Sequence, residues 1–226
     1  MSIHIFGYGS LIATPELPQH VLSKKRADAP GYARTFNKRS PARGCPRNDA
    51  FDAFGDLLPG FQTTDWISSL ALGTRIAAEE HLSGVLLSYA DTVADEVLRA
   101  TDHREGFDPC QNAATLGYLR RRIPLSTPLE GPVWTYLSNP SGPYHLPEST
   151  PLLTRVKLLI NATPRPDSTT GREGRARGLL YVEQVRTVLW DYRVIDPYLE
   201  SLVVFAQQLE GEWNALIHPP RSTRRP

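Results

Sequence analysis

Cysteine is scarce in this chain: Cys45 and Cys110 are its only two, among 226 residues. Two thiols cannot build a disulfide framework, and their separation is not that of a metal-ligand cluster. Reduced thiols in a cytosolic protein are the expectation. Cys110 lies five residues past Glu105, which raises the question of a nucleophile, but no His–Cys signature surrounds it. An excess of one charge is lacking too. Lys and Arg number 25, Asp and Glu 24, and the net charge is +1. No global field therefore draws the chain to nucleic acid or to a membrane surface. No apolar run approaches the ~18 residues of a membrane span. The opening Ser2-Ile3-His4-Ile5-Phe6 has neither the basic region nor the small-residue cleavage site of a secretory signal. A cytoplasmic protein is expected. His4, His81, His103 and His145 are scattered, so no metal is expected either.

What is present suits one globular domain. Hydrophobic residues make up 40% and charged residues 22%, and a chain of this length can bury a sizeable core. The expected domain is 1–217, followed by a frayed proline- and arginine-rich tail over 218–226. Strand signals fall at 3–6, 31–36, 69–77, 83–89, 116–123 and 133–137. Arg120-Arg121-Arg122 reads as a solvated strand edge. Helical spacing follows Asp91, through Val93, Val97, Leu98 and Ala100, to an end near Asp102. A second helix is predicted over 179–192. A third starts at Asp196-Pro197, a good cap with proline in the first turn, and runs through Leu209. The segments 46–66 and 163–178 read as long loops, either lids or plain surface. Strands dominate early and helices come late. The predicted class is α+β, a mixed, largely antiparallel, barrel-like sheet with a few packed helices.

Two segments carry chemistry. In Phe6-Gly7-Tyr8-Gly9-Ser10-Leu11, two glycines flank a tyrosine directly after a strand. Glycines permit a sharp turn and close ligand approach, and successive N–H groups in such a turn can hold an anion. No Lys-Ser/Thr follows at Walker spacing and the third glycine of a dinucleotide fingerprint is missing, so no nucleotide cofactor is implied. In Asp102-His103-Arg104-Glu105-Gly106-Phe107, acidic residues gather where a helix ends. Acids there oppose the helix dipole, so local stability does not explain them. Asp102 and Glu105, one helical turn apart, share a face. Glycosidase carboxylates instead flank their bond from opposite sides.

Together these residues resemble the γ-glutamylcyclotransferases. Tyr8-Gly9-Ser10-Leu11 is similar to that family's glycine-tyrosine loop. Asp102-His103-Arg104-Glu105-Gly106 is similar to its Asp-x-x-Glu-Gly segment, which carries the catalytic glutamate. Gly31-Tyr32-Ala33-Arg34-Thr35-Phe36, with Ser40 and Arg43-Gly44, resembles the ChaC-type branch, which acts on glutathione. Ser83-Gly84-Val85-Leu86 resembles the strand before the catalytic segment. The stretch from Gly174 through Tyr181 to Asp196-Pro197-Tyr198-Leu199 resembles the closing helical region. The chain departs from the ChaC-type branch in placing Gly106-Phe107 directly after Glu105 and alanine, not histidine, before Arg43. The leaving group thus stays open between glutathione's Cys-Gly, an amino acid and an amine.

The resemblance implies a cofactor-independent reaction on a small γ-glutamyl compound. The substrate's α-amine attacks its own γ-carbonyl and releases 5-oxoproline. Attacker and target share one molecule, so the enzyme mainly folds the substrate into the attack geometry. The resemblance assigns Glu105 the proton transfers, off the ammonium and onto the leaving nitrogen. It assigns substrate binding to the backbone N–H groups of Tyr8, Gly9, Ser10 and Leu11. Arg43 and Arg34 are candidates for a substrate carboxylate, and Tyr181 for a hydrogen bond to the glutamyl moiety. The alternatives are a cyclotransferase for a γ-glutamylamine or a γ-glutamyl-protected metabolite, and a non-catalytic small-molecule-binding module on the same fold.

Overall fold

The computed structural model describes residues 2–46, 66–160 and 178–217, and the side chains of 2–40, 70–160 and 178–209. The strands are β1 (Ser2–Gly7), β2 (Val21–Pro46), β3 (Trp66–Ala90), β4 (Tyr118–Arg122) and β5 (Val133–Ser138). The helices are α1 (Ser10–Ala13), α2 (Ala94–Glu105), α3 (Leu152–Ile160), α4 (Gly178–Asp191) and α5 (Pro197–Ile217). One five-stranded sheet has the order β2-β3-β1-β5-β4. Among the described strands, β1 pairs with β5 in parallel and the other pairs are antiparallel.

The apolar opening segment becomes the central strand because both of its faces are covered. Ile3 and Ile5 enter the large core shared with the helices. Phe6 and Tyr8 belong to a second cluster with Ala29, Leu82, Leu86 and Val133. That split follows from the two-residue period of a strand. Tyr8 continues it one residue past the strand end.

The sheet curls on itself. Tyr118 on the edge strand β4 donates its hydroxyl to the Leu72 carbonyl of β3 at 2.5 Å. The Thr74 amide donates to Ser138 Oγ, at the end of β5. Beyond β5, Leu146 N–H donates to the Asn37 carbonyl and Arg39 N–H to the Tyr144 carbonyl, each at 2.7 Å. The far half of the β2–β3 hairpin therefore closes over β4 and β5. The α+β, mostly antiparallel, barrel-like expectation holds.

Several boundaries differ from the sequence reading. The segments 31–36, 69–77 and 83–89 are pieces of two long strands. Register shifts between Pro30 and Tyr32 and between Thr35 and Lys38 break the alternation that would have joined them. The polar run Ser23-Lys24-Lys25-Arg26 hides the start of β2, whose residues there are mostly exposed. Asp91 does not cap α2 with its side chain. Residues Asp91–Val93 form a 3-10 turn, and the helix runs from Ala94 to Glu105, three residues beyond its predicted end. Helices α1 and α3 went unpredicted. Only Arg121 and Arg122 of the arginine triplet are exposed. Residues 47–65 and 163–177, most of the two predicted loops, lie outside the described residues, as does the 218–226 tail. None of the described helices is long and apolar enough to cross a membrane.

Candidate active site

The end of α2 is fixed from several directions, and each tie is made by a neighbour of Glu105. Gly106 turns the chain with φ +66, a left-handed conformation suited to glycine. Phe107 N–H then reaches back to the Asp102 carbonyl at 2.9 Å and Gly106 N–H to His103. Asp102 accepts from Arg120 Nη1 at 2.6 Å and from Tyr136 Oη at 2.7 Å, which ties the helix to β4 and β5. Arg104 donates to the Thr14 carbonyl, to Thr14 Oγ1 at 3.0 Å and to Glu16 Oε1 at 2.9 Å. That links the helix to the segment just after α1. Phe107 packs edge-on against Tyr136. Glu105 is the last helical residue, and its side chain is 14% exposed.

The glycine-tyrosine loop is fixed as firmly. Gly9 caps the four-residue helix α1, whose hydrogen bonds begin with Ile12 N–H to Gly9 and Thr14 N–H to Ser10. The first amides of a helix have no partner within it. Tyr8 buries its ring and donates its hydroxyl to the Tyr136 carbonyl at 2.5 Å. A methyl group on Gly9 would stand 3.2 Å from Tyr181 Oη. Glycine thus lets the buried Tyr181, in the first turn of α4, lie close over the loop.

Glu105, Tyr8, Gly9, Ser10, Leu11 and Tyr181 line one cavity, together with Leu72, Tyr118, Thr135 and Tyr136. The sequence reading placed the first six in the site and missed the others. Leu72, Tyr118, Thr135 and Tyr136 sit in strands, where nothing local separates a cavity-facing residue from a core one. Burial pushes the Tyr8 phenol well above its ordinary range, and the nearby Glu105 carboxylate adds to the rise. The Tyr136 phenol is raised by burial and then by its hydrogen bond to Asp102. Both are neutral hydrogen-bond donors near neutral pH. Among the described lining residues, Glu105 is then the one side chain able to serve as a base there. None of those lining residues is a lysine or arginine.

Arg34 is not in the cavity wall. Its side chain is 1% exposed and turned to the protein, with Nε donating to the Tyr8 carbonyl, Nη1 to Asp196 and Nη2 to the Ser83 carbonyl. Its donors are thus directed away from a substrate carboxylate. The side chain of Arg43, on β2, lies outside the described residues, and so does that of Cys45. Cys110 is free and exposed, outside the cavity wall. Asp102, occupied by Arg120 and Tyr136, is a structural tie. No group of histidine, cysteine and acidic side chains able to hold a metal occurs among the described residues.

No protein-family model matches the sequence, and no curated protein sequence matches it. Solved structures do match. A yeast γ-glutamyl cyclotransferase specific to glutathione, in selenomethionine-labelled form, superposes with a TM-score of 0.62 at 14% identity, covering 92% of this chain and 96% of that one. A second structure described as that yeast enzyme gives a TM-score of 0.60 at 14% identity, covering 92% of this chain and 99% of that one. The likeness extends over nearly the whole of both chains. This chain has the fold of the γ-glutamyl cyclotransferases.

Proposed function

We propose that this protein is a γ-glutamyl cyclotransferase, in which Glu105 relays the proton of an intramolecular cyclisation. The observation that supports it is the meeting of Glu105 with the Tyr8–Leu11 loop and Tyr181 in one cavity. These segments lie far apart in sequence and come from three elements.

The γ-glutamyl group enters with its α-ammonium towards Glu105. The carboxylate takes one proton from that ammonium, and the freed amine attacks the γ-carbonyl. A bond forms between the α-nitrogen and the γ-carbon, closing a five-membered ring. Negative charge gathers on the carbonyl oxygen, where backbone N–H groups of the loop stabilise it. Glu105 gives that proton to the departing nitrogen and takes the second proton from the ring nitrogen; the γ-carbon–nitrogen bond breaks, 5-oxoproline leaves with a free amine or amino acid, and the second proton passes from Glu105 to the released amine. With no lining cation among the described residues, loop amides and hydroxyls such as those of Ser10 and Tyr181 bind the substrate α-carboxylate. Glutathione, a γ-glutamyl amino acid and a γ-glutamylamine are the candidate substrates.

The test is release of 5-oxoproline from glutathione, γ-glutamyl-alanine and a γ-glutamylamine by wild type and Glu105→Gln. The amide cannot accept the ammonium proton, so Glu105→Gln is expected to fold normally and to lose turnover by roughly three orders of magnitude. The best substrate identifies the leaving group. Full activity in the variant removes Glu105 from the reaction. No release from any compound favours a binding module.

A further inference from the structure

We propose that Arg34 is a positioning residue, which sets the orientation of the loop amides from behind the active site. The link to catalysis rests on the cyclotransferase reading above.

Arg34 binds three separate parts of the molecule. Nε donates to the Tyr8 carbonyl at 3.2 Å, Nη2 to the Ser83 carbonyl of β3 at 2.6 Å, and Nη1 to Asp196 Oδ2 at 2.5 Å. A trans peptide holds each carbonyl antiparallel to the following N–H, and the chain has no cis peptide among its described residues. With the Tyr8 carbonyl drawn to Arg34, the Gly9 N–H points the opposite way. Gly9 belongs to the cavity wall and Arg34 does not, so this bond turns the Gly9 N–H towards the substrate. The positive end of the Tyr8–Gly9 peptide dipole faces the oxygen on which charge develops.

Asp196 extends this arrangement to α5. Its other oxygen, Oδ1, accepts from the Tyr198 amide at 3.0 Å and the Leu199 amide at 3.1 Å, capping the helix. Tyr198 in turn accepts from the Phe36 amide, two residues past Arg34, at 2.8 Å. One carboxylate thus joins the start of α5 to the arginine behind the loop. Only a guanidinium has the fork to serve two carbonyls and a carboxylate together; a lysine ammonium is a single point.

The experiment compares full-length wild type, Arg34→Lys and Asp196→Asn. Asparagine caps a helix about as well as aspartate, so Asp196→Asn keeps α5 while removing the charge opposite Arg34. It carries the test alone if Arg34→Lys does not fold. Each protein is examined by thermal melting, by the amide NMR resonances of Gly9, Ser10 and Leu11, and by kcat and KM on the best γ-glutamyl substrate. The expected result is a displaced Gly9 amide resonance in the folded variants. With it kcat should fall by roughly 10- to 100-fold while KM changes little, since displacement of about 1 Å at a reacting centre costs that much. Unmoved Gly9 resonances with wild-type kcat per folded molecule would overturn the proposal. If wild type itself turns over no γ-glutamyl compound, the cyclotransferase reading fails, and the Gly9 resonance still decides whether Arg34 orients the loop.

Discussion

Tyr136 on β5 donates its hydroxyl to Asp102 at 2.7 Å, one helical turn before Glu105. The same tyrosine accepts the Tyr8 hydroxyl at its backbone carbonyl. A single strand residue therefore holds both the glutamate segment and the glycine-tyrosine loop. Tyr136→Phe should cost about 1 kcal/mol of stability, the ordinary worth of a neutral hydrogen bond. Asp102→Asn, which weakens the charge-assisted bond to Arg120 as well, should cost about 1–3 kcal/mol. Urea denaturation measures both. Equal stability of the two variants would show that Arg120 adds nothing.

Gly106 has φ +66 and open space where a Cβ would be. Only the backbone conformation opposes a side chain there. Gly106→Ala should destabilise by about 1 kcal/mol, and Gly106→Asn by less, because asparagine tolerates the left-handed region. Thermal melting of the pair checks this ordering. An equal loss in both would point to a steric cause.

Gly9 and Tyr181 are predicted to be coupled. Gly9→Ala places a methyl 3.2 Å from Tyr181 Oη and 3.6 Å from Leu72 Cβ. The neighbour must yield by a few tenths of an ångström, which displaces the hydroxyl over the loop. Gly9→Ala should lower turnover roughly tenfold, as a small misplacement at a reacting centre does. Tyr181→Phe removes the crowding oxygen. The double variant should be more stable than the sum of the single losses, by about 0.5 kcal/mol or more. Additive losses would place the crowding elsewhere.

Alkaline pH should unfold this protein earlier than its charge balance suggests. Burial raises the phenols of Tyr8, Tyr136 and Tyr198, and that of Tyr89 to about 12. Below the ordinary phenol pKa of ~10, these tyrosines are neutral in both states, and the stability is fully present. Above it the unfolded chain loses protons that the folded chain keeps, so stability falls with rising pH. Through the folded value of Tyr89 the loss continues to about pH 12. Melting temperature followed against pH should drop past pH ~10, together with the rise of tyrosinate absorbance. Tyr89→Phe should shallow the drop. A flat profile to pH ~12 would contradict these shifts.

The two chemical segments were legible because their signals are local. Glycines beside Tyr8 and after Glu105 answer to backbone geometry, and acids at a helix end defy the dipole. The Asp196-Pro197 start of α5 was legible for the same reason, and the structure adds that Asp196 caps with one oxygen and holds Arg34 with the other. Arg34 itself was misleading. Its alternation with apolar neighbours fits a strand whichever way the guanidinium turns, and only three distant acceptors decide its direction.

The sequence by itself determined the class of fold and the strand–loop–glutamate order, since these rest on periodicity and turn chemistry within a few residues of each other. It could not determine that 31–36 and 83–89 are parts of one curled hairpin. Nor could it show that Tyr118, Thr135 and Tyr136 complete the cavity, or that Asp102 belongs to Arg120 and Tyr136. Those outcomes depend on pairings between residues tens of positions apart. Tertiary structure decided them, because a hydrogen bond or a buried face is chosen by whichever distant partner packing brings within reach.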